Sequence, residues 1–420
     1  MIRASTSDEL VPLLALCREG KLFEVQDWIR QGRPVALQED VGARGASRNP
    51  LRIAIDSGFH SLVEILLEAG APQRERGYCA LHHVVDLRRV DLAELLFRYG
   101  AKVEDVPMQF VLESWTPEMV DLFLSHGASL ERGHPVAWAL IAKIRTTLRL
   151  LKRDDENGQD LQAQGGIALR YHANEGNTKW VSLLLWAGAD PCERGIFRLE
   201  DLEENQEEED SVDHGERPNA VELAVMAGKL EVLQLPRMVA ASRPPRQPAG
   251  SLVEHASYQT NLELLSFILA QGHLPSALPD RGTRAINRLL HYMTFDPSVY
   301  SRFPDTKSTL IDSSHARERM KAVHMLLAHG AMWLPKEPRE IGDVRRSLLK
   351  MKAAYLLEFV WLLRAYRAAR RRDVLELFRT PSVNRLLGDK RTEADRILAG
   401  IPEDTASVVT SPSERTGANG

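Results

Sequence analysis

Apolar residues recur along this chain in pairs of short helical stripes, and each pair ends at a glycine. Residues 49–72 read NPLRIAIDSGFHSLVEILLEAGAP, in which Leu62, Ile65 and Leu66 follow the spacing of one helix face. The same order returns at 78–103 and at 167–190. Neither helix of a pair can bury its apolar face alone, so the pattern predicts helix pairs that stack on their neighbours.

A constant internal spacing shows that these stretches are repeats. In each one, the residue that precedes the first helix and the closing glycine are 21 positions apart. The spacing holds in the pairs Val11/Gly32, Asn49/Gly70, Cys79/Gly100, Val106/Gly127, Ile167/Gly188 and Ser251/Gly272. A glycine is expected at the end of each pair because the chain leaves the second helix in a left-handed turn.

The repeats resemble ankyrin repeats, which run from a Thr-Pro-Leu-His-like turn through two helices to Gly-Ala-Asp. The residues that carry the resemblance in one repeat are Asn49, Pro50, Leu51, Ala54, Gly58, Leu66, Leu67, Gly70 and Ala71. A further repeat lies at 219–233. Two weaker repeats lie at 134–152 and in a form split between 284–293 and 316–329. The resemblance implies an all-α solenoid of about nine stacked helix pairs with short hairpin-like loops, and a scaffold for protein–protein interaction.

The interruptions of the repeat pattern predict three regions in the chain. Residues 1–335 form the ankyrin-like solenoid, with an acidic insertion at 193–218 and a loop at 295–315. Residues 336–400 form a basic helical C-terminal cap, and residues 401–420 form a polar, disordered tail. The cap turns Leu356, Phe359, Val360 and Leu363 inward and its arginines outward, as a terminal repeat needs a polar outer face.

Composition narrows the class of protein. The chain has 420 residues and a formal net charge of −4, which predicts no general affinity for nucleic acid or membranes. Its three cysteines show no CxxC spacing, which argues against a disulfide framework or zinc site and for a reducing compartment. No signal-peptide core or membrane-length apolar run is present. We therefore expect a soluble, cytoplasmic monomer.

Catalytic signatures are absent from the sequence. It contains no phosphate-binding loop, nucleophile elbow, zinc-protease motif or nucleotide fingerprint. We therefore predict no enzyme activity and no catalytic, cofactor-binding or metal-binding residues, and an enzyme assembled from groove histidines and carboxylates is the disfavoured alternative. His82 is interpreted as a turn residue bonded to backbone and His83 as facing the neighbouring helix, rather than as metal ligands. Cys17 is interpreted as a packing residue.

Three aromatic residues occupy the same helix position in three repeats. These are Phe110, Trp138 and Tyr171. We favour a place in the core between repeats, and a ladder for stacking a ligand is the alternative.

The positions left free by the repeat pattern are the two that end each first helix, and they face the concave groove in ankyrin-like folds. Five repeats carry a carboxylate there and one carries a base. The pairs are Arg18 and Glu19, Asp56 and Ser57, Asp86 and Leu87, Glu113 and Ser114, Ile141 and Ala142, Asn174 and Glu175, Met226 and Ala227, and Tyr258 and Gln259. An acidic groove predicts a basic protein partner, for an inhibitor, immunity or adaptor role. The alternative is a set of ordinary solvated helix ends.

The basic C-terminal region supports a second functional hypothesis. Its arginines could bind the phosphates of nucleic acid, or the region could carry a separate activity. The residues concerned are Arg364, Arg367, Arg370, Arg371 and Arg372. We favour the cap over this alternative, and we expect no membrane binding.

Overall fold

The structure is a computed structural model, and its described part is predominantly helical. The described residues are 3–38, 49–75, 77–152, 158–198, 217–248, 250–257, 261–291, 313–351 and 353–401. Most of the acidic insertion, most of the loop at 295–315, nearly all of the C-terminal tail and Tyr258 lie outside these ranges. The predicted all-α fold of stacked helix pairs is confirmed.

The chain divides into two compact units. The first comprises Met1–Leu169, Leu183–Ala189 and Ile196–Val212, and the second comprises the remaining segments. Two helices contribute residues to both units. These are α10, Gly158–Glu175, and α11, Thr178–Ala187.

The first unit is built from helix pairs, each with an inner and an outer helix. The inner helices are α1 (Val11–Arg18), α3 (Pro50–Ser57), α5 (Ala80–Asp86), α7 (Met108–Glu113) and α9 (Pro135–Ile141). The outer helices are α2 (Leu22–Arg30), α4 (His60–Glu68), α6 (Val90–Arg98) and α8 (Pro117–Ser125). A 3-10 segment, Arg145–Lys152, packs on α9 in the place of an outer helix. Inner helices pack on inner helices and outer helices on outer helices, as stacking requires.

The second unit repeats this arrangement. Its inner helices are α12 (Ala220–Met226), α15 (Ser251–Ala256), α17 (Thr283–His291), α19 (Pro338–Met351) and α21 (Arg371–Leu377). Its other helices are α13 (Leu230–Leu233), α14 (Pro236–Ser242), α16 (Leu262–Ala270), α18 (Ser313–Ala328), α20 (Ala353–Ala365), α22 (Pro381–Leu387) and α23 (Arg391–Ala399). Helix α17 packs on α19 and α18 packs on α20, so the stacking continues past residue 335.

The closing glycines end the outer helices as the pattern predicts. Gly70 has a φ of 82°, and its neighbour Ala71 donates its N–H to the carbonyl of Leu66 at 2.9 Å. This left-handed turn supplies N–H donors to carbonyls at the end of the helix that would otherwise have no hydrogen-bond partner. The apolar stripes meet in the core, where Leu51, Leu62 and Leu66 are fully buried.

Two pairs of short strands complete the described elements. Strand β1 (Arg3–Ala4) pairs in parallel with β2 (Ala36–Leu37). Strand β3 (Arg74–Glu75) pairs antiparallel with β4 (Tyr78–Cys79), and this hairpin leads directly into α5. The β3–β4 hairpin matches the predicted hairpin-like loops between helix pairs.

The C-terminal helices bury the apolar face that the sequence assigned to them. Leu356, Phe359, Val360 and Leu363 of α20 are all buried, as predicted. The ring of Phe359 meets that of the buried Trp333 edge to face, at 5.5 Å between centroids. Among the described helices, none has the length and apolar character to cross a bilayer.

Candidate functional site

Three exposed carboxylates end three successive inner helices of the first unit. Asp56 lies in the last turn of α3, Asp86 ends α5 and Glu113 ends α7. We call Asp56, Asp86 and Glu113 the acidic row. They occupy equivalent places because each follows the same inner-helix pattern.

Each carboxylate of the acidic row contacts the residue four positions earlier, which lies one turn away on the same helix face. Arg52 Nε is 3.8 Å from Asp56 Oδ2, and His82 Nδ1 is 3.3 Å from Asp86 Oδ2. Gln109 Nε2 donates to Glu113 Oε1 at 3.2 Å. The partner changes from a cation to an imidazole to a neutral amide along the row. The intrahelical contact therefore compensates the negative charge least at Glu113.

Histidines of α5 connect neighbouring helix pairs. His83 Nε2 lies 2.6 Å from Asp56 Oδ1 of the preceding pair, so His83 faces the neighbouring helix as predicted. The prediction for His82 is wrong, because its ring contacts Asp86 and Phe110 rather than a backbone group. The rings of His82 and Phe110 meet at 5.0 Å between centroids. Ala80 N–H at the start of α5 already donates to the carbonyl of Gln73 at 2.8 Å, so this backbone donor needs no bond from His82.

A shallow cleft of about 400 Å³ opens beside Asp86, between the β3–β4 hairpin and the inner helices. Its lining residues are Arg52, Arg74, Glu75, Gly77, Tyr78, Cys79, His82, His83 and Asp86. Asn49 Nδ2 donates to Glu75 Oε2 at 2.8 Å, which fixes the hairpin against the start of α3. Burial raises the pKa of Glu75, and burial together with the charge of Asp56 raises the pKa of the Tyr78 hydroxyl. The buried phenol of Tyr78 therefore stays protonated.

Exposed apolar side chains occur in the third and fourth helix pairs of the first unit, the pairs that carry Asp86 and Glu113. Phe110 is 40% exposed, Leu87 is 43% exposed and Trp115 is 50% exposed. The interpretation of Phe110 as core is wrong, because Met108, Val111 and Leu112 fill the buried side of α7. Trp138 and Tyr171, at the same position of other helices, are half-buried.

The left-handed residues in the turns after three inner helices were not identified from the sequence. Arg88, Trp115 and Lys143 have φ values of 58°, 60° and 67° at positions where the second helix pair has Gly58. Left-handed backbone is costly for residues other than glycine, and such strain is concentrated at functional sites. Alignment of these residues with Gly58 is the signal that could have identified them.

Not every predicted groove residue faces the surface. The side chain of Ser114 is buried, and its hydroxyl donates to the carbonyl of Val111 at 2.7 Å. Ser57 is half-buried and donates to the carbonyl of Ile53 at 2.8 Å. A serine at the end of a short helix satisfies a terminal carbonyl, and this local bond turns both hydroxyls inward.

At the start of the chain, the predicted groove pair Arg18 and Glu19 is exposed. Glu19 lies 2.7 Å from Lys21, so its carboxylate already has a cationic neighbour in the following turn. Glu19 is therefore not counted in the acidic row.

In the second unit the predicted groove residues are less acidic. Asn174 Nδ2 donates to Glu175 Oε1 at 3.3 Å, and Met226 is an exposed large apolar side chain. Tyr258 lies outside the described residues. These positions provide an apolar and amide surface rather than a run of carboxylates.

The two ends of the acidic insertion are joined to each other. Arg194 donates from Nη1 to the carbonyl of Arg217 at 2.9 Å and also pairs with the buried carboxylate of Glu222. The buried Arg170 donates to the carbonyl of Glu193 at 3.0 Å, and burial lowers the pKa of Arg170 to about 10. The described residues at the two ends of the insertion therefore lie next to each other.

The grouping of possible metal ligands and the burial of Cys17 can be read from the described residues. No group of three or more His, Cys, Asp or Glu residues within the described ranges could hold a metal ion. Cys17 is fully buried, as predicted for a packing residue, and burial raises the pKa of its thiol to about 12. A thiol of that kind is not a nucleophile at neutral pH.

The C-terminal arginines do not form one free basic stripe. Arg370 and Arg372 lie 3.9 and 3.4 Å from the buried carboxylate of Asp373. Arg364 donates to the carbonyl of Arg396 at 3.3 Å, while Arg367 is exposed. Arg371 is half-buried. Arg364, Arg370 and Arg372 therefore each have a contact within the chain.

Comparisons with known proteins give a partial likeness to solved structures. No protein-family model matches the chain, and no curated protein matches it. Among solved structures, it is similar to the ankyrin repeat domain of Bcl-3, described as a unique member of the IkappaB protein family. The two share 21% sequence identity with a TM-score of 0.35, over 46% of this chain and 91% of that one.

Proposed function

We propose that this protein is a non-enzymatic scaffold that binds a basic segment of another protein on the face of its first unit. The face consists of the acidic row with the exposed Leu87, Phe110 and Trp115. The observation that carries the proposal is the placement of three carboxylates at equivalent positions of successive inner helices, each held by a side chain one turn earlier.

The physical basis is preorganisation combined with charge. Carboxylates held by neighbours lose less side-chain freedom when a partner binds, which favours affinity. A row of one sign also accelerates encounter with a basic partner. Exposed Phe110 and Trp115 supply the aromatic contact area in which binding energy is usually concentrated.

Inhibition, immunity or adaptor roles all fit a scaffold of this kind, and neutralisation of an enzyme that acts on nucleic acid is one concrete version. Such an enzyme presents the basic surface that an acidic row complements. We infer that the scaffold acts as a cytoplasmic monomer. The alternative of nucleic-acid binding at the C-terminus is disfavoured, since Arg364, Arg370 and Arg372 are engaged within the chain.

Charge reversal of the acidic row tests the proposal. The variant Asp56→Lys, Asp86→Lys, Glu113→Lys is compared with a control, Glu24→Lys, Glu94→Lys, Glu118→Lys, whose changes lie on exposed positions of α2, α6 and α8. Both variants change the charge of the chain equally. The full-length wild type and both variants are immobilised separately. The proteins that each retains at low salt are then eluted with a salt gradient.

The expected result is a retained protein that elutes as salt rises, is kept by the control variant and is lost by the acidic-row variant. Screening explains the salt sensitivity, because exposed charges interact weakly beyond about 10 Å at 0.1 M salt. Equal retention by the wild type, the control variant and the acidic-row variant would show that the acidic row consists of ordinary solvated helix ends.

A further inference from the structure

We propose that Phe110, with Asp86 and Glu113 beside it, is the seat for an arginine side chain of the partner. The inference rests on the proposed function and names the chemistry of the residue that the face recognises. Phe110 is 40% exposed, and the side chain of Asp86 is 59% exposed. His82 of α5 contacts both Phe110 of α7 and Asp86, so both lie against the same imidazole ring.

Glu113 completes the group from the other side. It lies three residues after Phe110 on α7, a spacing that puts two side chains next to each other on a helix. Its contact is the neutral amide of Gln109, so a partner cation meets no competing charge from that contact. The seat thus combines one exposed ring with two carboxylates.

The preceding helix pair already contains an arginine in this kind of setting. The guanidinium of Arg52 lies 5.7 Å from the centroid of the Tyr78 ring, and its Nε lies 3.8 Å from Asp56. Arg52, His82 and Gln109 hold equivalent positions, four residues before each member of the acidic row. Asp56 contacts a guanidinium of the chain, whereas the described direct contacts of Asp86 and Glu113 are with an imidazole and an amide.

Arginine suits such a seat better than lysine. Its guanidinium is planar and weakly hydrated, so it stacks on an aromatic face while its N–H groups reach carboxylates at the edge. A lysine ammonium is a compact and strongly hydrated charge. Leu87 and Trp115 are exposed and lie close to Asp86 and Glu113 in the sequence. They can contact the methylenes of the arginine and the residues that flank it.

Two labelled peptides test the inference on the full-length protein. Nona-arginine and nona-lysine carry the same charge, and their affinities are measured by fluorescence anisotropy at low salt. We expect nona-arginine to bind about three- to fivefold more tightly, the scale of an exposed cation–π contact. Phe110→Leu should remove this preference. Phe23→Leu, at an exposed phenylalanine of α2, should keep it.

The outcomes separate this inference from the proposed function. Equal binding of the two peptides, no binding of either, or a preference that survives in Phe110→Leu overturns the arginine seat. If both peptides bind equally and the acidic-row variant abolishes both, the seat is refuted while the proposed function stands. If neither peptide depends on the acidic row, basic-partner recognition by this face fails as well.

Discussion

At the scale of single residues, the strained turn at Trp115 gives the sharpest prediction. Trp115 has a φ of 60°, where a side chain other than glycine costs roughly 1–2 kcal/mol. Trp115→Gly should therefore raise the free energy of unfolding by about 1 kcal/mol, after part of the gain is lost to the flexibility of glycine in the unfolded chain. Urea denaturation measures this change.

Gly58 provides the matched control for that experiment. It has a φ of 74°, and a Cβ built on it would lie 3.0 Å from Arg89 Nη1. Gly58→Ala should lower the free energy of unfolding by about 1 kcal/mol, because it introduces the strain that Trp115 already bears. A loss of stability in Trp115→Gly would show that the indole packs to stabilise the turn and is not retained for binding.

Buried histidines predict a pH dependence of stability. His273 is fully buried, its Nε2–H donates to the carbonyl of Ser242, and Gly250 N–H donates to its Nδ1. Burial lowers the pKa of His273 and also that of His255. The unfolded chain takes up the proton first, so stability is present above the ordinary histidine pKa and is lost as pH falls through it.

The substitution His273→Gln separates this contribution from the others. Glutamine keeps a donor for Ser242 and does not titrate. The free energy of unfolding should therefore fall less between pH 7 and pH 5 in the variant than in the wild type, as measured by urea denaturation at both values. An unchanged difference would mean that His273 does not contribute, and His255 would then be the remaining candidate.

At the scale of elements, Asn49 joins a helix to the hairpin of the next pair. Its Oδ1 accepts from Arg52 N–H at 3.1 Å as the N-cap of α3, and its Nδ2 donates to Glu75. Asn49→Ala should cost about 1–2 kcal/mol in the free energy of unfolding, since it removes the cap and leaves a half-buried carboxylate without that donor. Asn49→Asp keeps the cap and should recover only part of the loss.

The helix pairs and their turns were largely predictable because they depend on local spacing. Gly70 and its equivalents are left-handed, and Leu62 and Leu66 are buried, as periodicity requires. The outward Phe110, the inward Ser114 and the ring contact of His82 were not predictable. Each of these depends on which groups of the same or a neighbouring helix satisfy the side chain, and spacing alone does not determine that.

At the scale of the whole molecule, the second unit carries helix pairs beyond the last closing glycine of the repeat pattern. Arg367 has a φ of 51°, and the next residue, Ala368, donates to the carbonyl of Leu363 at 2.9 Å. Gly70 and Ala71 make the same turn in the first unit. The sequence signal fades at 335 because an arginine replaces the glycine, while the turn geometry is retained.

Hydroxyl-radical footprinting of the full-length chain, alone and bound to the protein it retains, tests the proposed binding face most directly. Oxidation of Leu87, Phe110 and Trp115 should fall when the partner binds, while that of the exposed Trp186 and Trp361 should not change. Protection of Trp361 with unchanged labelling of Phe110 and Trp115 would contradict the account and place the partner on the C-terminal helices instead.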